Sequence, residues 1–460
     1  MEIIGLIISF LVAIAIGRNV LFWLIRRDLS FSLLEKLALS YILGLGALTI
    51  QMFLYSLLNI KFSIFTLLMP WFFIAIVNIF AFNKTMPVGK EPVKSKSEIF
   101  DIVLAGGIAF QVLHAFFKAL IKPMDSFDSI GNFAYKAKMF FMKSYVPYEL
   151  FLDKSIDIQH GDYPLFIPLS ETWIYMFLGR WNDLLVKALF PMFLLAVLII
   201  FYFTLKRLIG KRLALISGFF LATIPHFLNY ATIGYADFAL TMFYCTGFFY
   251  IFLWISYKRE TKYLFLATCL AVLAIGAKHE GVMFLFINIA LLALFALLNR
   301  KVITRAELGG IGFFLVVTLV STIAWFAYFH MLGFSNEFVN KETLHFSVVV
   351  KNLNRIPLIL YEYQKHVFGP KKWNISFLVF FIGLALYFKT AFREHFKYIT
   401  FSILLAFAGY SFFYLITPLE IRYHLQTSGS RLLIHFLPIV VFWIGYLAKE
   451  ILNAETDIYR

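Results

Sequence analysis

The chain has 460 residues, of which 61% are hydrophobic, 19% aromatic and only 15% charged. A soluble chain runs at roughly 45–50% apolar and about 25% charged, and 57 Phe with a mean hydropathy of +0.82 exceed what one soluble core of this length can hide. Forty-one Lys plus Arg against 26 Asp plus Glu give a net charge of +15, an excess that membrane topology produces without any nucleic-acid partner. The expectation is an all-α polytopic membrane protein.

Apolar windows long enough to cross about 30 Å of hydrocarbon begin near residues 3, 33, 62, 98, 184, 213, 238, 263, 281, 308, 374, 398 and 432, about thirteen spans. The first runs from Ile3 to Ile25, too long for the apolar core of a secretory leader, and Glu2 stands where a leader carries positive charge. Alternate connectors are basic: Arg26-Arg27, then Lys84 to Lys96, Lys206 to Arg212, Lys258 to Lys262, Arg300 to Arg305 and Lys389 to Lys397. By the positive-inside rule these connectors are cytoplasmic. That puts the N-terminus outside, the C-terminus inside, and residues 122–183 and 333–373 in two long outward loops, in the inner or plasma membrane of a cell. Tyr163 to Leu178 is apolar, but as a span it would invert every later basic loop, so it is read as an interfacial or re-entrant helix. A stretch with two Pro, one Gly and several Lys, residues 83–97, separates an N-terminal three-helix membrane extension, 1–97, from a main membrane domain, 98–460. Cys245 and Cys269 lie in apolar runs and indicate neither a disulfide nor a cysteine metal site.

Ionisable groups at membrane level are costly and mark function by default. Here they gather at the outward ends: Asp125 and Asp128, His160 and Asp162, Tyr235 and Asp237, Lys278, His279 and Glu280, and Glu420, Arg422, His424 and Arg431. Each has a plainer reading. Asp125 or Asp128 can cap the helix that starts at Ser129, and Asp162 can cap one that starts at Tyr163-Pro164. Lys278 and Glu280 can form a self-contained ion pair where Lys278-His279-Glu280 interrupts the apolar stretch 263–298. His114, inside a span, reads as a core histidine. Asp128 stands out because Tyr135, Lys136 and Lys138 follow it, and Asp237 because no basic residue neighbours it in sequence.

The ordered set Phe127-Asp128-Ser129 with Tyr135-Lys136-Ala137-Lys138, His160-Gly161-Asp162-Tyr163-Pro164-Leu165, Gly234-Tyr235-Ala236-Asp237, Lys278-His279-Glu280-Gly281 and Thr427-Ser428-Gly429-Ser430-Arg431-Leu432 resembles the GT-C superfamily of membrane glycosyltransferases. The likeness is to the branch related to protein O-mannosyltransferases and the aminoarabinose transferase of lipid A, and covers residues 98–460. The three spans before the first large loop depart from that family's usual start. The resemblance implies a GT-C-like catalytic domain that takes a hexose or pentose from a polyprenyl-phosphate carrier and passes it to an acceptor, glycan, lipid or protein, in the outer leaflet. By position Asp128 matches the acidic residue of the first loop, a base or an organiser of the catalytic centre. Asp237 matches the second acidic site, with Asp162 and Glu280 as further acidic candidates for donor or metal, and Arg431 matches an outward cation near the donor phosphate. Lys278 and Arg422 join Arg431 as phosphate candidates, and Lys136, His160, Tyr163, Tyr235 and His279 as substrate-binding ones. No acidic pair stands at Asp128 itself, so a divalent metal is left open and no other cofactor is implied.

The chemistry stands apart from the resemblance. A lipid phosphate leaves with its own negative charge, so departure needs cations more than a proton. The incoming hydroxyl is a poor nucleophile at neutral pH, and one positioned carboxylate can take its proton during attack. One base and opposed cations give direct displacement with inversion, whereas a covalent glycosyl-enzyme needs a second carboxylate about 5 Å from the first. The alternatives are a secondary transporter, which would carry its polar residues at mid-depth on broken helices, and a polysaccharide polymerase or ligase.

Overall fold

A computed structural model describes residues 1–26, 28–82, 98–152, 160–334, 343 and 345–458. The basic stretch 83–97, Arg27 and part of the 333–373 loop lie outside the described residues. Every regular element among those described is helical, and the chain divides into two compact units. Unit 1 takes Met1–Phe203, Asn229–Met242 and Gly276–His279, and unit 2 takes Thr204–Leu228, Phe243–Ile275 and Glu280–Arg460.

Unit 1 is built on α1 (Glu2–Ile25), α2 (Leu33–Leu57), α3 (Ile64–Phe82), α4 (Ile99–Leu120), α5 (Tyr135–Lys143), α6 (Tyr148–Leu152), α7 (Phe166–Leu178) and the first part of α8 (Leu189–Ile209). Small residues let α1 and α2 touch backbone to backbone. A Cβ on Gly17 would lie 1.7 Å from the Ser40 carbonyl oxygen, and one on Gly44 1.8 Å from that of Ala13, so neither position accepts a side chain. This pair holds α7, whose Trp173 Nε1 donates to the Ser9 carbonyl at 3.1 Å. Beyond its end, Asn182 donates to the Glu2 carboxylate at 2.9 Å and Arg180 pairs with the same group. At 1.5 Å per residue the 13 residues of α7 reach about 20 Å, too short to span. It is buried along nearly its whole length.

Unit 2 carries α9 (Lys211–Ala222), most of α10 (Pro225–Tyr230) and of α11 (Ala236–Ser256), α12 (Thr261–Ala277), α13 (Gly281–Leu298), α14 (Arg305–Met331), α15 (Phe346–Lys351), α16 (Ile356–Val367), α17 (Pro370–Trp373), α18 (Ser376–Leu386), α19 (Phe388–Ala391), α20 (Phe396–Ile416), α21 (Ile421–Leu433) and α22 (Leu437–Ile458). Aromatic packing ties α18, α20 and α22 together: Trp443 lies 4.9 Å from Phe380, ring to ring, and its Nε1 donates to Thr400 at 2.9 Å. The loop helices are fastened to the end of α20, where Asn352 donates to the Leu415 carbonyl at 2.8 Å and Arg355 to that of Thr417 at 3.0 Å.

Ten helices among the described residues are long and apolar enough to cross a membrane, and the chain is an integral membrane protein. The sequence windows at 213, 263 and 374 are helical too, but α9, α12 and α18 have 12, 17 and 11 residues. Hydropathy windows run over helix breaks, which shortens these three. One break is decisive for the site: α12 ends at Ala277 and α13 begins at Gly281, so Lys278-His279-Glu280 is the joint between two helices.

Candidate functional site

In unit 1 the chain leaves α4 and turns at Asp128 into a π-helical turn, Ser129–Ala134, closed by a Tyr135 N–H to Ile130 C=O bond. π-turns recur at functional positions. Asp128 is half-buried and its carboxylate makes no cap bond to that turn. Asp125 does not cap it either: its carboxylate pairs with exposed Lys122, which holds it below the usual carboxylate range.

The Gly234-Tyr235-Ala236-Asp237 turn packs against the start of this segment. Gly234 has φ +88°, and a Cβ there would meet the Ser129 Cβ at 3.0 Å, so glycine is required twice over. Tyr235, half-buried, sets its ring edge-on to Tyr230 at 5.7 Å. Asp237 opens α11 and accepts a hydrogen bond from Lys278 Nζ at 2.9 Å, with 3% and 4% of the two residues exposed. The buried aspartate thus takes its counter-charge from the helix joint, 41 positions along the chain.

Next to Lys278 in sequence, His279 Nε2 meets Asp162 Oδ2 at 3.1 Å. Asp162 therefore does not cap α7, which begins at Phe166 behind Leu165 without a side-chain cap. Tyr163 lies edge-on to the His279 ring at 5.7 Å and stacks on His160 at 4.5 Å. Lys136, 2% exposed, donates from Nζ to the His160 carbonyl at 2.6 Å. Burial pushes the Lys136 amine down to about 7 against the charge of Asp162, which acts to raise it. At Asp162 burial raises the carboxyl, but the His279 hydrogen bond and the charges of His279 and His160 outweigh it and leave it below the usual range.

Unit 2 holds a second polar cluster. Glu420 caps α21, accepting from the N–H groups of Arg422 at 2.9 Å and Tyr423 at 2.6 Å. His424, Ser428 and Arg431 follow at helical spacing and share one face. His424 Nδ1 lies 2.9 Å from Thr417 Oγ1, the Ser428 and Tyr414 hydroxyls are 2.8 Å apart, and the charges of Arg431 and Glu280 both reach His424 and Tyr414. Arg422 is exposed and nine residues before Arg431, about 180° round the helix, so it faces away from this group. Gly429 lies under the His366 ring of α16, where a Cβ would come within 2.7 Å.

Unit 1 thus gathers Lys136, His160, Asp162, Tyr163 and His279, with Asp128 adjoining Ser129 beneath the turn that carries Tyr235 and Asp237. Unit 2 gathers Glu280 and Arg431 with Tyr414, His424 and Ser428, of which Tyr414 and Ser428 were not singled out from sequence. The 424, 428 and 431 spacing was readable as a helical stripe; the approach of Tyr414 was not. His114 lies in α4, edge-on to Phe110 at 6.4 Å. Among the described residues no three His, Cys, Asp or Glu side chains are gathered as a metal would need.

A family model described as dolichyl-phosphate-mannose-protein mannosyltransferase matches residues 171–326. The helices make this an integral membrane protein, and the match agrees with the GT-C resemblance over residues 171–326, about a third of the chain. It covers Gly234-Tyr235-Ala236-Asp237 and Lys278-His279-Glu280-Gly281, while Asp128, Asp162 and Arg431 lie outside it. No curated protein and no solved structure matches the chain.

Proposed function

We propose that the protein transfers a sugar from a polyprenyl-phosphate donor to an acceptor hydroxyl at the outer face of the membrane, by direct displacement with inversion. The family description names mannose on dolichyl phosphate, so a mannosyl polyprenyl phosphate is the first donor to test. The observation that supports the reading most is the packing of the Gly234 turn on Ser129, which brings the Asp237 motif of the matched segment to the segment that begins at Asp128.

In this reading Asp128 accepts the proton of the acceptor hydroxyl as its oxygen attacks the anomeric carbon, and the bond from that carbon to the phosphate oxygen breaks. The phosphate leaves as an anion and needs no proton; it needs positive charge held in a poorly solvated place. Lys278 supplies that charge in unit 1, oriented by Asp237. Tyr235, His160, Tyr163 and Lys136 serve the sugar or acceptor, with His279 held by Asp162. Arg431, in unit 2, is assigned a phosphate-binding role from its own face of α21, and Arg422, on the opposite face, drops out of it. The N-terminus lies outside and the C-terminus in the cytoplasm.

The test is transfer by the purified full chain in lipid vesicles, with mannosyl polyprenyl phosphate and an acceptor fraction from envelope extract, and the anomeric configuration of the product read by NMR. Inverted product supports the reading. Retained configuration rules out direct displacement, and no transfer from any polyprenyl-phosphate sugar rules out the function.

A further inference from the structure

A cavity of about 240 Å³ opens in unit 1, with Phe62, Phe140, Phe141 and Ser144 among its lining residues. Although three of these are aromatic, most of the open lining is polar, which disfavours a lipid chain. Among the described residues no charged side chain lines it, so an ionised ligand would find no counter-charge there. The volume lies below the roughly 300–1,000 Å³ of a site for a drug-sized molecule. What fits is one small, neutral, polar ring.

The end of α5 supplies the polar groups. The Ser144 hydroxyl makes no hydrogen bond among the described residues, and the Phe141 carbonyl, in the last turn of α5, accepts none. A helix end leaves such carbonyls for other partners, and a serine hydroxyl can both donate and accept. Thr172, also in the lining, is already engaged: its hydroxyl reaches the Pro168 and Ala137 carbonyls at 2.7 and 3.2 Å. A sugar ring matches this combination, with hydroxyls for Ser144 and the carbonyl and C–H faces for the aromatic residues.

The cavity also stands beside the residues assigned to sugar and acceptor. Phe140 follows Lys136 by four positions on α5, one helical turn. Phe151 reaches both: its ring centre lies 6.2 Å from that of Phe140 and 5.8 Å from Lys136 Nζ. One turn is about 5.4 Å, so an occupant sits next to the reacting group and not at it.

We propose that this cavity seats a neutral sugar of the acceptor, adjacent to the one that bears the reacting hydroxyl, which makes the acceptor a glycan. The role in transfer rests on the proposed function, whereas the binding of a sugar does not.

The full chain in phosphatidylcholine nanodiscs is titrated with methyl α-mannoside and mannobiose, with methyl glucuronide as the ionised control, and binding is read by saturation-transfer NMR. Wild type should bind the neutral glycosides saturably and in preference to the glucuronide. S144A and F141L should each bind them about fivefold more weakly, at the scale of one hydrogen bond or one aromatic contact. S144A removes a single oxygen, so its effect does not turn on folding. In the transfer assay both variants should raise the acceptor KM by a similar factor and leave the donor KM unchanged. Glycoside binding unchanged in either variant would overturn the proposal, as would no glycoside binding by wild type or a preference for the glucuronide. Transfer to a peptide or a lipid with the acceptor KM unmoved would overturn the acceptor assignment. Failure of all transfer would remove the proposed function, and the titration would still decide the cavity.

Discussion

Lys278 and Asp237, 41 residues apart in sequence, form an ion pair at 2.9 Å with both side chains almost wholly buried. Two charges taken this far out of water are tolerated because each compensates the other, and removing one strips the other of this counter-charge. Asp237→Ala or Lys278→Ala should each lower unfolding stability by about 3–5 kcal/mol. The double Asp237→Leu, Lys278→Met should regain most of it without regaining transfer. Thermal unfolding in detergent beside a transfer assay checks both; a double variant with restored transfer would make the pair purely structural.

Lys136 gives a pH signature. Its folded-state value is lowered to about 7 from an ordinary 10.5, chiefly by burial. Between those values the unfolded chain binds the proton more tightly, so stability rises with pH across the window and falls as pH drops from 10.5 towards 7. The slope contributed is at most about 1.4 kcal/mol per pH unit. Asp162, whose carboxyl lies below its ordinary value of 3.8, contributes only in the acid range. Unfolding followed from pH 7 to 10 should therefore show a rise in wild type that Lys136→Met loses. Parallel curves would contradict the burial argument.

Arg431 and Arg422 lie on opposite faces of α21, which separates their expected effects. Arg431→Ala should weaken donor binding by about 1.5–3 kcal/mol, the scale of a hydrogen bond to a charged group, and Arg422→Ala should change it little. Donor affinity measured on both variants decides; a larger loss at Arg422 would move the phosphate site.

The reading of sidedness predicts that cysteines placed at Ser144 and Asn182 are both labelled from outside by an impermeant reagent. Protection of one of the two would mean that the chain crosses the membrane between them.

Much of this was legible in the residues. Charge between apolar stretches exposed the Lys278-His279-Glu280 joint, because a helix in lipid does not carry three consecutive ionisable residues without cause. The glycine before Tyr235 signalled a turn. What pairs with what was not legible: Lys278 could meet Glu280 two residues on, and nothing in the sequence signalled its bond to Asp237, 41 residues away. Asp162 read equally well as a helix cap, and only the position of α7 gives it to His279. Three of the thirteen windows fall on helices of 12, 17 and 11 residues, because hydropathy does not register where α9, α12 and α18 stop.

In the proposed transfer Asp128 takes the proton of the acceptor hydroxyl. Asp128→Asn keeps the size and hydrogen bonding of the side chain and removes its basicity, so folding and donor binding should persist while turnover falls about 10²–10⁴-fold. Asp125, engaged with Lys122 at the surface, is the matched control. The most direct measurement is the turnover of purified Asp128→Asn and Asp125→Asn in lipid vesicles, with donor binding measured on the same samples. The expected result is a loss confined to Asp128→Asn with donor affinity unchanged. Transfer near wild type in Asp128→Asn, with or without loss in Asp125→Asn, would contradict it.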